Sequence, residues 1–404
     1  MARKMKDSGI EWIGEIPEGW EVGQIGQLYS ERRTKVSDKD YPPLSVTMKG
    51  ILPQLSTAAK TDAHDDRKLV CKGDFAINSR SDRRGSCGIS EQDGSISLIN
   101  TVLQPRGEMN PGYYNWLFHT SMFADEFYKW GHGIVDDLCT TGWSDMKKIG
   151  VPVPSKCEQK QLAEHLNFEC FNIDTILSKT RSSIEEYKKL KQSVITQAVT
   201  KGVRGEREMK DSGVEWIGET PAEWSVQRIK TIFSIRNERN YLPLEQVNLI
   251  SLYTDKGVVQ HCDIEKTTGN KASNADGYKK VYPNDMIVNI ILCWMGAIGR
   301  SNYAGVTSPA YDVYVPSSKI ECKFYHYYFR TLGFSGDCYK NGRGIMAMRW
   351  RTYSDQFRSI KVVVPPLEEQ KEIVGYLDAK CAEIDGLIAK KEQFPSFSRK
   401  QAKQ

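Results

Sequence analysis

The chain contains one unit written twice. Residues 5–22 read MKDSGIEWIGEIPEGWEV and residues 209–226 read MKDSGVEWIGETPAEWSV, with 13 of the 18 positions identical at an offset of 204. Further identities recur at an offset of 211, where Pro154, Glu158, Gln159, Lys160, Leu166, Cys170, Ile173, Asp174 and Lys179 match Pro365, Glu369, Gln370, Lys371, Leu377, Cys381, Ile384, Asp385 and Lys390. A period this long is incompatible with a solenoid of small repeats. The sequence therefore predicts two copies of a whole domain.

Both copies have the same internal order: a tryptophan-containing opening segment, a variable body and a segment with helical periodicity. Short runs rich in Val, Ile and Tyr, bounded by Gly, Asn, Asp and Pro, predict strands in the bodies at residues 75–79, 96–105, 244–253, 285–294 and 311–316. Two aromatic-rich segments, 115–128 and 325–332, predict helices that cover those strands. The expected fold class is therefore mixed α/β (α+β).

These patterns also predict the limits of the segments. We expect a first domain over residues 1–153, a central helix over 154–204, a second domain over 205–364 and a C-terminal helix over 365–404.

Apolar residues recur with heptad spacing in both helical segments, which is typical of a coiled coil. Because one chain holds two such stripes, they can be buried against each other. The alternative, in which each stripe packs only on its own domain, stays open. The predicted coiled-coil residues are Leu166, Ile173, Leu177, Ile184, Leu377, Ile384 and Ile388.

The second helical segment loses its apolar stripe after Lys391, and Pro395 is expected to end the helix. A helix over 367–393 would be about 40 Å long, shorter than its counterpart. Such an ending is compatible with a natural terminus, a frameshift or a truncation.

Charge and composition restrict the function only weakly. The chain has 56 Lys and Arg against 51 Asp and Glu, a net charge of +5 that permits an anionic partner. The first residues lack the apolar core of a secretory signal, and the longest apolar run, 286–299, is too short to span a bilayer. The ten cysteines include no Cys-x-x-Cys pair. We therefore expect a soluble, cytoplasmic protein.

Several patterns resemble catalytic motifs but have simpler explanations. Residues 110–113, Asn-Pro-Gly-Tyr, are better explained as a turn before an aromatic helix than as a methyltransferase loop, because no glycine-rich cofactor loop accompanies them. The Glu-Gln-Lys triplets at 158–160 and 369–371 match half of a nuclease metal site, but they lie at helix starts, where acidic residues are favoured. The six histidines are scattered. We expect no catalytic residues, no metal and no cofactor bound by this chain.

Two clusters are typical of nucleic-acid binding. Arg80, Arg83 and Arg84 lie in a Gly/Ser-rich loop, SRSDRRGSCG, where guanidinium groups could reach phosphates or the O6/N7 edge of guanine. The aligned loop of the second copy is IILCWMGAIG, so the same frame holds different side chains. The second cluster contains Arg343, Arg349 and Arg351, and the segment of the first copy that aligns with it contains Asp136 and Asp137 instead. The predicted DNA-binding residues are Arg80, Arg83, Arg84, Asn289, Trp294, Arg343, Arg349 and Arg351.

Three segments together give the chain a family resemblance. The duplicated MKDSGxEWIGExPxxW, the Pro-Pro-Leu-Glu-Glu-Gln-Lys at 365–371 and the Ile-Thr-Gln-Ala-Val-Thr-Lys-Gly at 195–202 resemble the DNA-specificity subunit of bacterial Type I restriction-modification systems. The resemblance covers nearly the whole chain.

The resemblance implies two target recognition domains in pseudo-two-fold arrangement, at residues 20–153 and 224–364, held apart by two antiparallel helices in a coiled coil. Each domain would read one half of a split, asymmetric double-stranded DNA target. The implied partners are two modification subunits, which methylate adenine with S-adenosylmethionine bound to them, and restriction subunits that translocate and cleave DNA.

Other functions stay open at this point. The chain could serve a system that only modifies DNA, or it could be a duplicated coiled-coil scaffold without DNA specificity. A steep fall of duplex binding with salt would separate DNA recognition from the scaffold, because released counterions are the signature of phosphate contacts.

The length of the central helix generates a first prediction. Residues 158–200 as one helix would span about 63 Å, enough to hold two readers about one turn of duplex apart, with an unspecified middle of roughly five to eight base pairs. Lengthening this helix by one heptad should change the gap between the half-sites. Methylation mapping of the variant measures the gap, and an unchanged gap would rule out the helix as a ruler.

Overall fold

The computed structural model describes residues 3–54, 65–133, 139–261, 274–344 and 350–401, with side chains described as far as residue 393. It divides into two compact units, Met1–Ile176 and Leu177–Gln404, and the division falls inside one long helix. Both units mix strands and helices, which confirms the predicted fold class. No helix in these ranges is long and apolar enough to cross a membrane.

The first unit consists of short strands with helices at their ends. Its elements in chain order are β1 Met5–Asp7, β2 Glu15–Pro17, β3 Glu21–Gln24, α1 Ile25–Leu28, β4 Tyr29–Glu31, β5 Lys35–Val36, β6 Leu44–Thr47, β7 Gly50–Pro53, β8 Arg67–Val70, β9 Phe75–Asn78, β10 Cys87–Ile89, β11 Gly94–Ile96, β12 Asn100–Pro105, α2 Pro111–Phe118, α3 Ser121–Lys129, α4 Trp143–Met146, β13 Gly150–Val153 and the start of α5 Lys156–Lys201.

The second unit repeats this order after the end of α5. Its elements are β14 Met209–Asp211, β15 Glu219–Pro221, β16 Ser225–Arg228, α6 Ile229–Ile232, β17 Phe233–Ile235, β18 Ile250–Tyr253, β19 Gly257–Gln260, β20 Lys279–Val281, β21 Met286–Asn289, β22 Ile298–Arg300, β23 Gly305–Thr307, β24 Tyr311–Pro316, α7 Cys322–Phe329, α8 Leu332–Asn341, α9 Ser354–Ser359, β25 Lys361–Val364 and α10 Leu367–Gln401. Helices α5 and α10 begin close to the predicted starts of the helical segments.

The central sheets of the two units have the same topology. In the first unit the antiparallel order is β10-β9-β12-β4, and in the second it is β22-β21-β24-β17. Equivalent strands are therefore neighbours in the same order in both sheets. Asn78 at the end of β9 pairs with Asn100, and Asn289 at the end of β21 pairs with Tyr311. The duplication read from the sequence is therefore a duplication of fold.

The aromatic segments pack on these sheets as predicted, but 115–128 forms parts of two helices, α2 and α3, while 325–332 forms the end of α7 and the first residue of α8. Thr120 and Thr331 end the first helix of each pair and cap the second, accepting hydrogen bonds from the backbone N–H of Phe123 (3.2 Å) and Phe334 (3.3 Å). A hydroxyl that satisfies the free donors of a new helix stabilises a break in the helical run. The aromatic residues of both pairs form the main clusters of rings in the cores.

Three predicted strands are shorter than their apolar runs. In the run 96–105, Ile96 ends β11 and the next strand begins at Asn100. The run 285–294 is a strand only to Asn289 and then turns into a 3₁₀-helix, Cys293–Met295. The run 244–253 is a strand only from Ile250, after a 3₁₀-helix at Leu244–Gln246. Apolar composition alone does not show where a side chain, such as that of Asn289, forms a turn.

Within the second unit, α10 runs antiparallel to the final part of α5. Ion pairs join Arg204 to Glu372 (2.8 Å) and Lys191 to Asp385 (2.6 Å), so residue numbers fall on one helix as they rise on the other. Ile184, Leu377 and Ile384 are buried, while Leu177 and Ile388 are half-buried.

The same faces also contact the second domain. Ile195 and Val199 of α5 and Ile373 and Leu377 of α10 belong to one apolar cluster with the body of this unit. The stripes therefore pack on each other and on their own domain, so the two arrangements left open by the sequence coexist here.

Two details of the helices differ from expectation. Leu166 and Ile173 are exposed, so the predicted coiled-coil seam is not buried at these two positions of the first unit. Helix α10 continues through Pro395 to Gln401, so the prediction that Pro395 ends the helix is wrong. A proline removes one backbone hydrogen bond, and the bonds on either side of it can preserve the helix with a kink.

The start of each long helix is fastened by a buried glutamine. Gln159 donates through Nε2 to the carbonyl of Pro154 (2.9 Å) and accepts through Oε1 from the backbone N–H of Asn110 (2.9 Å). Gln370 makes the same two bonds, to Pro365 (2.8 Å) and from Glu321 (2.8 Å). The repeated Glu-Gln-Lys triplets thus have a structural function, connecting each helix to the start of α2 or α7.

The glutamate before each glutamine pairs with an arginine from the repeat's opening segment. Glu369 contacts Arg207 (2.6 Å) and accepts from the indole Nε1 of Trp224 (2.9 Å). The equivalent pair in the first unit is Glu158 with Arg3. The first pair is enclosed, with side chains 14% and 0% exposed for Arg207 and Glu369, whereas Arg3 and Glu158 are 62% and 23% exposed.

This difference predicts unequal effects of the same substitution. Arg207→Ala leaves the buried carboxylate of Glu369 with only the more distant guanidinium of Arg204 (4.0 Å) and should lower the free energy of unfolding of the second unit by about 3 kcal/mol. Arg3→Ala is the matched control and should change stability little, because solvent screens an exposed pair. Denaturant unfolding of both variants measures this, and equal losses would contradict it.

Candidate nucleic-acid interface

In each unit, a loop that follows a central strand lies beside the base of a hairpin that follows a helix. We call this arrangement the recognition edge. The first recognition edge comprises residues 79–85, 131–133 and 139–141, after β9 and α3. The second comprises residues 290–296, 342–344 and 350–352, after β21 and α8.

Backbone hydrogen bonds hold the first edge together. The N–H of Thr141 donates to the carbonyl of Ser79 (3.0 Å), and the N–H of Ser81 donates to that of Cys139 (3.0 Å). His132 and Thr140 exchange both of their backbone bonds (3.1 and 3.0 Å), which closes the base of the hairpin. The loop therefore cannot move independently of the hairpin.

The second edge repeats this framework. The N–H of Thr352 donates to the carbonyl of Ile290 (2.9 Å), and Arg343 and Arg351 exchange both backbone bonds (2.9 and 3.0 Å). The hydroxyl of Thr352 donates to the carbonyl of Cys338 (2.9 Å), as that of Thr141 does to Phe127 (2.8 Å). Both edges present their side chains from the same backbone frame.

A buried asparagine turns each loop away from its strand. The Oδ1 of Asn78 accepts from the N–H of Arg80 (3.0 Å), and the Oδ1 of Asn289 accepts from the N–H groups of Ile291 (2.9 Å) and Leu292 (3.3 Å). The structure therefore places Asn289 in the framework of the turn, and its role in DNA binding stays a prediction. Each loop ends at a glycine with positive φ, Gly85 or Gly296.

The first edge is cationic. Arg80, Arg83 and Arg84 are all exposed on the loop. The guanidinium of Arg84 contacts the carboxylate of Asp125 (3.0 Å) and lies 5.4 Å from the ring centre of Tyr128. The Arg83 guanidinium lies 3.6 Å from the carboxylate of Asp82.

Tyr128 anchors this loop through its hydroxyl group. Its hydroxyl donates to the carbonyls of Asn78 (3.1 Å) and, at longer range, Arg83 (3.4 Å). Burial raises the pKa of the Tyr128 phenol well above its ordinary value, so that it remains a donor. The arginines are thus presented from a loop that is anchored at both ends.

The second edge is aromatic and apolar, with arginines at the hairpin base. Trp350 stacks on Tyr339 with ring centres 4.7 Å apart, and Trp294 meets the same tyrosine edge-on at 5.7 Å. The guanidinium of Arg343 lies 5.2 Å from the ring centre of Tyr353. Arg351 is half-buried in the bridge to Arg343.

The structure thus brings the predicted site residues into two groups, one in each unit. Arg80, Arg83 and Arg84 lie on the first edge, and Trp294, Arg343 and Arg351 lie on the second. The remaining predictions, Arg349 with Asp136 and Asp137, fall outside the described residues. No solved contact with DNA tests any of these assignments, so they stay predictions.

Sequence reasoning missed the residues that build the frame. Thr141 and Thr352, which join the loop to the hairpin, are identical at the repeat offset of 211. Comparison of the two copies could have found them. Tyr339 is likewise identical to Tyr128 at this offset, whereas Tyr353 aligns with Gly142 and becomes recognisable only once the fold places it beside Arg343.

Among the described residues, no group of three or more His, Cys, Asp or Glu side chains is arranged to hold a metal ion. Asn110, which begins the Asn-Pro-Gly-Tyr segment, caps α2 by accepting from the N–H of Tyr113 (3.2 Å), in agreement with the predicted turn.

Comparisons with known proteins agree with this arrangement. Residues 221–393 match the family model of the Type I restriction modification DNA specificity domain. The chain is 25% identical to a putative type I restriction enzyme MjaX specificity subunit of Methanocaldococcus jannaschii over 96% of this chain and 93% of the relative. The MjaVIII specificity subunit of the same organism is also 25% identical, over 56% of this chain and 52% of that protein.

Two solved structures share the fold. A chain from a study of complex assembly and conformational transition of the type I R-M system has a TM-score of 0.67 and 12% identity, with 96% of each chain covered. The HsdS subunit from Thermoanaerobacter tengcongensis has a TM-score of 0.55 and 15% identity, covering 94% of this chain and 92% of that one.

The second unit therefore contains a DNA specificity domain of the type I restriction-modification class, and the first unit repeats its topology. Over nearly its whole length the chain is similar to a type I restriction enzyme specificity subunit.

The close approach of Gly342 to Trp350 predicts how the second edge is maintained. A Cβ at Gly342 would lie 2.5 Å from the indole Nε1 of Trp350. Gly342→Ala should therefore displace Trp350 from Tyr339 and lower the free energy of unfolding by about 1–3 kcal/mol. Gly336→Ala, in α8 with nothing within 4 Å of the new Cβ, is the control and should be neutral or stabilising. Near-ultraviolet circular dichroism with denaturant unfolding measures both effects; an unchanged aromatic signal in Gly342→Ala would contradict the assignment.

Proposed function

We propose that this chain is a noncatalytic DNA-recognition subunit that reads a bipartite, asymmetric duplex target, with one half-site at each recognition edge. The observation that carries the proposal is that two copies of one hydrogen-bonded frame present different side chains. Exposed arginines occupy the loop of the first edge, and the loop of the second carries Ile, Leu, Trp and Met at the aligned positions.

The chemistry of the first edge fits a nucleic-acid groove. Arginine is the side chain that most often reads guanine, by donating two hydrogen bonds to O6 and N7 in the major groove. Arg80 and Arg83 are exposed, and Arg84 has a pairing with Asp125 that phosphate or base contacts would replace. The net charge of +5 is small, so the attraction for DNA must be local to such edges.

Methylation and cleavage belong to partners in this proposal. The partners are two modification subunits, which bind S-adenosylmethionine and methylate adenine, and restriction subunits. The similarity to type I specificity subunits supports assembly with other subunits of a type I system, and the number and kind of subunits are part of the proposal.

The test uses the chain reconstituted with its modification subunits. Duplexes selected from a random-sequence pool should share a split target with two different halves. Arg80→Ala should relax selection at one position in one half only, at a cost of about 1–3 kcal/mol for the preferred base pair. A target that is continuous, or one that is unchanged by the substitution, would overturn the proposed role of the first edge.

Arg106→Ala is the matched control for this experiment. Arg106 is exposed and lies just beyond Pro105, at the end of β12 opposite to Asn100, which pairs with Asn78 beside the recognition edge. The substitution Arg106→Ala removes the same charge from the same domain as Arg80→Ala and should leave the selected target unchanged. If Arg106→Ala relaxed the target as Arg80→Ala does, the effect would come from general charge, contrary to the proposal.

A further inference from the structure

The loop of the second recognition edge has no exposed polar side chain with which to read a base. Residues 290–296 are Ile, Ile, Leu, Cys, Trp, Met and Gly, all of them described. The cysteine is fully buried. The one strong side-chain donor, the indole Nε1 of Trp294, donates to the carbonyl of Ile291 (3.0 Å).

Four backbone donors of this loop are also engaged. The N–H groups of Ile291 and Leu292 donate to Asn289, that of Met295 donates to the carbonyl of Leu292 (2.9 Å), and that of Gly296 donates to Cys293 (2.9 Å). Arg330 fixes the far end by donating to the carbonyls of Gly296 (3.4 Å) and Ile298 (3.1 Å). These bonds fix the conformation of the loop, and its exposed side chains are apolar. We call residues 290–296 the apolar projection.

Two side chains form the outer surface of this projection. Leu292 is 37% exposed and Met295 is 52% exposed. Met295 is aligned with Arg84 of the first edge, and Trp294 is aligned with Arg83. Where one copy presents guanidinium groups, the other presents apolar groups from the same frame.

We infer that Leu292 and Met295 determine specificity by contacting the 5-methyl group of thymine in the half-site of the second unit. The major groove of DNA offers only one apolar group on a base edge, and that group is the thymine methyl. The exposed side chains of this loop carry no strong hydrogen-bonding group, so they gain from a base pair by burying this methyl group. The inference rests on the proposed function and adds the chemical feature that the second edge reads.

The experiment replaces thymine with deoxyuridine, which removes the methyl group and leaves the pairing and the other groove atoms unchanged. The half-site of the second unit is the one left unchanged by Arg80→Ala in the selected target. Deoxyuridine at its thymines should weaken binding of the reconstituted complex about fourfold for the contacted methyl, the worth of one buried methylene-sized group. The same replacement in the other half-site is the control and should change affinity less than twofold.

The matched variants are Leu292→Ala and Met295→Ala, which shorten exposed side chains without opening the core. In the double variant that combines Leu292→Ala with Met295→Ala, the duplexes with thymine and with deoxyuridine should bind equally, because both side chains that contact the methyl group have been shortened. A wild-type complex that binds its target but does not distinguish deoxyuridine from thymine in this half-site overturns the inference and leaves the proposed function standing. Absence of sequence-selective binding by the wild-type complex overturns both.

Discussion

The backbone pairing between a loop and the base of a hairpin is the interaction on which the recognition surfaces depend. Thr141 joins the loop to the hairpin through Ser79 in the first unit, and Thr352 does so through Ile290 in the second. The N–H and C=O groups of these segments satisfy each other, so the frame does not depend on the side chains that project from it. The exposed positions can therefore change while the geometry is preserved, as the contrast between Arg84 and Met295 illustrates.

The same division between frame and variable surface extends through the chain. Gln159 and Gln370 make identical bonds at the starts of α5 and α10, and the central sheets share one strand order. The pairs Glu158–Arg3 and Glu369–Arg207 keep their partners but differ in exposure. Duplication supplied two equivalent scaffolds, and divergence at the edges gave each one a different chemistry. This is the physical basis for proposing a target with two unlike halves.

Much of this organisation is encoded in patterns that a single sequence reveals. The repeat predicted the two units, the heptad spacing predicted the long helices, and the polar loop after a strand located Arg80 and its neighbours. Asn289 illustrates the limit: an asparagine at the end of an apolar run can face a ligand or close a turn, and only the fold shows that its oxygen accepts from Ile291. Tyr339 lies in α8 and Trp350 lies at the base of the hairpin, so the two rings can stack only when the hairpin has formed. Residues brought together by long-range pairing leave no local signal, which explains why the frame of the site was harder to predict than its variable side chains.

The central claim is that two copies of one frame read two different half-sites. Genome-wide mapping of methyladenine in cells that contain this chain with its modification partners tests that claim most directly. The account predicts methylation within a single split sequence whose two halves differ and are separated by an unspecified gap of fixed length. Methylation at a continuous sequence, at a symmetric pair of identical halves, or without sequence preference would contradict it.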